Sequence, residues 1–320
     1  MAGIAIGQPW AEGGFKNLRI EGYANDAAHL AALAAVVNAT RGTDWPVERV
    51  AQYYGHPAFE LERDARLVWL GDKPVAAAIC YPTIHLHDRA PGNFEIFVVP
   101  DARGHGLGSR LLAHLEQAAR NRGHHVLETT IDQHDAPGRS FLLAHSFGVI
   151  GQAAHLVRAG MAELPPVDLP QGFTISSLAE EPDAGEEYRA LANRLGAYDP
   201  GYTLIDPEEL ASLTESAAWE PQGIFVLADP QDREVGVIRA SGAGQDHGYL
   251  HEIRLDPAYR GRNLGTALVG KALAYLAAAG VQQTELDTEG PDTPAYRLAR
   301  RCGFVERHRW QQLLKPLARP

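Results

Sequence analysis

Residues 94–112, FEIFVVPDARGHGLGSRLL, and residues 251–269, HEIRLDPAYRGRNLGTALV, decide how this chain is read. Each begins as a β-prone run, passes a proline, reaches an arginine and a glycine-bearing loop, and continues at helical spacing. Glycine reaches positive φ and lets the backbone approach a ligand closely. The first N–H groups of a helix have no intrahelical partner, and the helix dipole favours an anion there. A strand–loop–helix of this kind can cradle a pyrophosphate. The dinucleotide fingerprint G-x-G-x-x-G is absent from both copies, and a plain strand-to-helix turn would use the same glycines.

Outward from these stretches the order of elements repeats. The helix expected from Asp26 to Arg41, with Asp26 as its N-cap and Leu30, Leu33, Val36 and Val37 at helical spacing, has a weaker counterpart at Glu186–Leu195. Hairpins follow, turning at Gly71-Asp72 in one half and at Asp229-Pro230-Gln231-Asp232 in the other. Strands at Phe94–Val99 and Leu250–Leu255 enter the two loops, and helices at Ser109–Asn121 and Thr266–Ala279 leave them. Each half closes with a further strand, VLETTI or TELDT, and a helix near 139–146 or 294–301. Arg103 and Arg260 are 157 residues apart, and Val75 and Val235 are 160 apart. So constant an offset indicates duplication. Strands and helices in this order give a mixed α/β sheet flanked by helices. Residues 160–172, GMAELPPVDLPQG, hold three prolines and two glycines and place the expected boundary between domains 1–162 and 163–320.

Composition narrows the function. With 320 residues, 45% hydrophobic and 22% charged, the chain is neither fibrous nor disordered. No apolar run reaches the length of a bilayer span. The opening MAGIAIGQPWAEGG lacks a basic region followed by an apolar core, so a cytoplasmic location is expected. Two cysteines, Cys80 and Cys302, exclude a disulfide framework and a zinc ribbon. The formal charge is −11: residues 1–162 carry 16 acids and 14 bases, residues 163–320 carry 24 acids and 15 bases. An acidic surface disfavours nucleic acid and anionic membranes as partners. No metal is expected. His85 and His87 share a strand face, but a metal needs a third ligand, and no G-x-S-x-G nucleophile elbow occurs.

With these residues in view, both loops resemble the acyl-CoA-binding motif R/Q-x-x-G-x-G/A of the GNAT superfamily of N-acyltransferases, and the whole chain resembles its duplicated members. Arg103-x-x-Gly106-x-Gly108 fulfils the motif, while Arg260-x-x-Asn263-x-Gly265 departs at its middle glycine. TPAYRLARRCGF resembles the family's closing helix and G-F corner. In FLLAHSF, Ser146 stands where glycine is usual. The resemblance implies two tandem acyltransferase domains. In each, the strand before the loop bulges and opens a wedge in the sheet. Backbone groups of Ile96, Phe97 and Val98, and of Ile253, Arg254 and Leu255, then meet the acyl carbonyl and the pantetheine arm. The loops Arg103, Gly104, His105, Gly106, Leu107, Gly108, Ser109 and Arg260, Gly261, Arg262, Asn263, Leu264, Gly265, Thr266 hold the pyrophosphate.

The same resemblance implies N-acetyl transfer from acetyl-CoA to a primary amine of a small molecule or peptide. An ammonium must lose a proton before it attacks, so a base is required. Glu95 and Glu252 lie on the strand where several members carry one; Glu128 and Asp287 lie on the next strand, where others do. Many members place a tyrosine in the last helix to protonate the leaving thiolate. That position reads Ala299 here, with Tyr296 one turn earlier. Three readings stay open: an acetyltransferase, a CoA-binding module whose catalytic groups have decayed, and one catalytic half beside one structural half. Between Glu180 and Glu220 there are 11 acids and two bases, which raises the expectation of a cationic acceptor in the second half, with Glu252 as base and Asp287 next.

Overall fold

The computed structural model describes residues 17–55, 59–82, 92–199, 202, 204–216 and 218–317. His85, His87 and the opening 16 residues lie outside the described residues. The chain forms two compact units, residues 1–150 with 312–320, and residues 151–311.

In unit 1, β1 (Leu18–Gly22), β2 (Ala65–Leu70), β3 (Lys73–Pro82) and β4 (Gly92–Val98) pair antiparallel in that order. β5 (Val126–Asp132) joins β4 in parallel. Helix α1 (Ala27–Arg41) starts where its sequence indicates, with the Asp26 carboxylate accepting the His29 N–H at 2.8 Å. Helices α2 (Val47–Tyr54) and α3 (Leu61–Asp64) precede β2, and α4 (Leu107–Asn121) follows β4. Helix α5 (Ala136–Ala144) begins three residues before the expected 139, because Asp135 caps it through the Gly138 N–H and Pro137 suits a first turn. Leu33, Val36, Leu67, Ile79, Leu111, Leu115 and Leu127 are fully buried in one core between sheet and helices.

In unit 2, strand β6 (Gly148–Ala159) pairs antiparallel with β11 (Gln283–Glu289). Next to β11 lies β10 (His247–Leu255), in parallel, and then β9 (Glu234–Ser241), β8 (Ile224–Ala228) and β7 (Thr174–Ser177), all antiparallel. Helices α6 (Ala184–Gly196), α7 (Pro207–Glu215), α8 (Leu264–Ala278) and α9 (Pro294–Arg301) cover this sheet. Leu268, Leu273, Leu276 and Phe304 form its core on one side, and Tyr188, Leu191 and Ile224 a second cluster.

The units are not the sequence halves. Residues 153–159 of β6 lie in the first half but pair with β11 from Gln283↔Ala159 to Glu289↔Ala153. The final strand β12 (Val305–Pro316) ends in unit 1, where Leu313 and Leu317 are buried in the first core. There the Leu317 N–H donates to His125 O at 2.8 Å and Lys315 Nζ meets Glu116 at 2.6 Å. The cut expected at 162/163 followed the proline-rich stretch, whereas compactness follows strand pairing, which composition does not report.

Candidate active site

Both loops close in the same way. Gly104 and Gly261 sit at φ 79° and 78°, and Gly106 and Asn263 start α4 and α8 at φ 76° and 62°. A Cβ built on Gly104, Gly106 or Gly261 would meet nothing within 4 Å, so these glycines serve conformation and leave open space in front of the backbone. Gly108 and Gly265 serve packing: a Cβ there would stand 3.1 Å from Phe141 and 3.1 Å from Leu298. Among the described residues no side chain caps α4 or α8. The first-turn amides therefore face the open cradle with the dipole behind them, which fits a pyrophosphate.

The motif arginines hold the loops to their strands. Arg103 Nε donates to Val98 O at 3.0 Å and Arg260 Nε to Leu255 O at 3.3 Å. Unit 2 adds an anchor that sequence reading missed. Tyr259 donates to Asp229 Oδ2 at 2.6 Å and receives Arg233 Nη2 at 2.7 Å, while Arg262 lies over its ring. Unit 1 has Ala102 at the matching step. In unit 1, Ser109 Oγ lies 3.0 Å from His145 Nε2.

The sheet opens beside each loop. Among the described residues β4 and β5 pair only at Gly92↔Leu127 and Asn93↔Glu128, and β10 and β11 only from His247↔Gln283 to Tyr249↔Glu285. Beyond these pairs the strands part, leaving Ile96, Phe97 and Val98, or Ile253, Arg254 and Leu255, on the strand that borders the gap. The expected bulge is present in one unit only. β10 shifts register between Leu250 and Glu252, so His251 is an extra residue, whereas β4 pairs with β3 without a shift from Gly92 to Val98. Strand pairing also matches Glu128 to Glu285, leaving Thr130 as the counterpart of Asp287.

Glu95 and Glu252 each sit between a guanidinium and a tyrosine, drawn from different elements. Glu95, 15% exposed, takes Arg41 from the end of α1 at 2.6 Å and the Tyr54 hydroxyl from α2 at 2.7 Å. Burial pushes its pKa up against the pull of Arg41. Glu252, 14% exposed, takes the Tyr188 hydroxyl from α6 on one oxygen and Arg254 of its own strand on the other. Each oxygen keeps one acceptor direction. Arg254 also meets Asp199 at 2.5 Å and lies 4.1 Å from the Tyr202 ring centre. Burial and the Glu252 charge push the Tyr188 hydroxyl well above its ordinary pKa, so it stays a donor.

Asp287, 56% exposed, accepts the Tyr249 hydroxyl at 2.6 Å and faces His155 Nδ1 at 2.8 Å. His251 Nε2 lies 2.6 Å from Ser241 Oγ, and burial, helped by Arg239, lowers its pKa to about 4. Tyr54, Arg41, Tyr188, Tyr249, His155 and His251 carried no local signal, because what marks them is a partner across the sheet. Ala299 is buried, and the Tyr296 hydroxyl is turned to Glu306 Oε2 at 2.7 Å.

The acids between Glu181 and Glu220 are spread over several places rather than gathered at the gap. Glu220 accepts the Gly242 and Ala243 amides and the Tyr275 hydroxyl, Asp206 caps α7, and Glu186 pairs with Arg189. Glu181 and Glu187 line a different cavity, beside β7 and β8. Asp199 and Glu252 stand at the gap, against Arg254. Cys80 and Cys302 are buried, with their thiols pushed up to about 11. Among the described residues no helix is long and apolar enough to cross a membrane, and no three His, Cys, Asp or Glu side chains could hold a metal ion.

A family model described as the acetyltransferase (GNAT) family matches residues 31–147 and 192–304. The chain is 31% identical over 270 residues to the mycothiol acetyltransferase of Thermobispora bispora, covering 82% of this chain and 84% of that one. The mycothiol acetyltransferase of Actinosynnema mirum is 29% identical, covering 72% and 77%. Among solved structures, a GCN5-related N-acetyltransferase from Sphaerobacter thermophilus is similar at a TM-score of 0.75 and 21% identity, covering 94% of this chain and 96% of that one. A tandem GNAT protein from the clavulanic acid biosynthesis pathway is similar at 0.64 and 18%, covering 94% and 99%. These two likenesses concern the fold alone.

Proposed function

We propose that this chain, which belongs to the acetyltransferase (GNAT) family and is an acyltransferase, transfers an acetyl group from acetyl-CoA to a primary amine in the gap of unit 2. The observation that carries this reading is the His251 bulge, present in β10 and absent from β4. The bulge re-aims β10 at His251, and because β10 has no pairs with β11 past Tyr249 among the described residues, backbone groups of the 253–255 stretch on that side are available to an acyl-pantetheine arm. The cradle of Gly261 to Thr266 holds the pyrophosphate on the α8 amides.

The amine nitrogen attacks the acetyl carbonyl carbon, the C–S bond breaks, and the amine proton passes to a carboxylate. Glu252 is the first base, since its free acceptor directions lie on the strand bordering the gap, and Asp287 is the second. The sulfur leaves as a thiolate of ordinary pKa about 8.5, without a tyrosine at position 299. Relatives named mycothiol acetyltransferase support a small-molecule acceptor rather than a peptide. The early acids lend the acceptor's charge little support: Glu220, Asp206 and Glu186 are held in a turn, a cap and a pair, Glu181 and Glu187 line another cavity, and Asp199 at the gap is met by Arg254. Unit 1, with an unbulged β4, is the half that binds CoA without turning it over.

The test is thiol release from acetyl-CoA with a panel of small primary amines. Turnover lost in Glu252→Gln and kept in Glu95→Gln supports the reading. Loss in Glu95→Gln alone moves the chemistry to unit 1. Binding of CoA with no turnover on any amine replaces it with a CoA-binding module.

A further inference from the structure

We propose that unit 1 carries a binding site for a phosphate monoester in the cavity at the carboxy-terminal end of α4. The cavity measures about 570 Å³ and is lined by Arg63, Arg66, Arg122, His114 and His124, with Asp64 as the one carboxylate among its lining residues. Its size suits a small metabolite, for which pockets run from roughly 300 to 1,000 Å³. It is separate from the acyl-CoA cradle. Gly106 stands at one end of α4 and Arg122 at the other, and a helix of 15 residues is about 22 Å long.

The charges of this cavity are incompletely matched from within. Asp64, 3% exposed, is taken up by Arg122 on both oxygens and by Arg63 at 3.2 Å. Glu60, half exposed, meets Arg63 at 2.8 Å and Arg122 at 3.7 Å from the rim. Arg66 is left over. Its Nη1 donates to the Arg63 and Ala65 carbonyls at 3.1 and 2.7 Å. Among the described residues no carboxylate forms an ion pair with it. A half-buried guanidinium outside any ion pair is costly, and burial, partly offset by the nearby Asp64 charge, pulls the Arg66 pKa down.

Beside it, His114 Nε2 is buried with no hydrogen-bond partner. Burial first, and the charge of Arg66 second, lower the pKa of this imidazole, which keeps it neutral at pH 7. An anion in the cavity would supply the missing partner to Arg66 and an acceptor to His114 together. A phosphate monoester fits better than a carboxylate. It brings up to two charges and three acceptor oxygens, to a wall where the Nε and Nη2 donors of Arg66, left over from its two carbonyl bonds, can engage two of them.

The test is calorimetric titration of the full chain with inorganic phosphate, then with a hexose phosphate, at low salt and with saturating acetyl-CoA. We expect one saturable site in the wild type. Its Kd should rise at least tenfold in Arg66→Gln and less in Arg66→Lys, which keeps the charge but loses the fork. If Arg66→Gln does not fold, His114→Leu serves in its place and should weaken binding. The Gly106→Glu variant, altered only in the acyl-CoA cradle, should bind phosphate as the wild type does. Equal binding by Arg66→Gln and wild type, absence of a saturable site, or tighter binding of citrate than of either phosphate would overturn the proposal.

Discussion

Asn263 holds the left-handed conformation that Gly106 holds at the same step of the first loop, with φ 62° against 76° and ψ 5° in both. Asparagine is among the few non-glycine residues that accept this region readily. The motif's departure in the second half therefore leaves the backbone shape intact and adds a side chain beside the cradle. We expect Asn263→Gly to keep the fold and tighten CoA binding in unit 2. Gly106→Glu should weaken binding in unit 1 by a factor of ten or more, about 1.4 kcal/mol. Calorimetric titration with CoA reads both; an unaltered stoichiometry and Kd in the two variants would show that this position does not face the ligand.

Gly265 and Gly108 test the packing behind the cradles. A side chain at Gly265 presses on Leu298 of α9, and one at Gly108 on Phe141 of α5, each from 3.1 Å. Gly265→Val and Gly108→Val should each cost roughly 1–3 kcal/mol by overpacking. A thermal melt of either variant that matched the wild type would show that these helices separate freely.

Glu252→Gln keeps the shape of the side chain and removes its basicity. If Glu252 takes the amine proton, kcat/KM should fall on the order of 10²-fold or more. Tyr188→Phe leaves the carboxylate and removes one hydrogen bond to it, so it should act chiefly on the pH dependence of kcat. Steady-state rates across a pH series distinguish the two roles: a Glu252→Gln enzyme with the wild-type profile and rate would transfer the role of base to Asp287.

His251 gives a pH dependence of stability with a definite sign. Its folded pKa is lowered from 6.5 to about 4, chiefly by burial. Between those values the unfolded chain holds more protons than the folded one, so stability rises with pH through the window and the gain is complete above 6.5. His251→Gln should flatten this slope while keeping a partner for Ser241. Urea midpoints of the two proteins across that window provide the measurement; parallel curves would show that the imidazole titrates as it does in water.

What the amino-acid sequence determined by itself is what short-range physics encodes. The two strand–loop–helix stretches, the start of α1 at Asp26, and α4 and α8 to within two residues at either end follow from apolar spacing, capping and glycine at positive φ. Duplication was visible because the same local pattern returns at a constant offset. The tertiary structure alone decided which strand each edge would pair with. Residues 153–159 went to β11 and Leu313 and Leu317 to the first core, because partner choice depends on buried surface far away in the chain. It alone decided that β10 has an extra residue and β4 has not, since a bulge is a property of two strands in register. The candidate site divides the same way. Glu95 and Glu252 could be named because the resemblance to the family places a base on the strand before each loop. Their partners Arg41, Tyr54, Tyr188 and Arg254, and the guanidinium of Arg66, ion-paired to no carboxylate among the described residues, take these places only once distant segments have packed, because burial and charge pairing are distances in space and not in sequence.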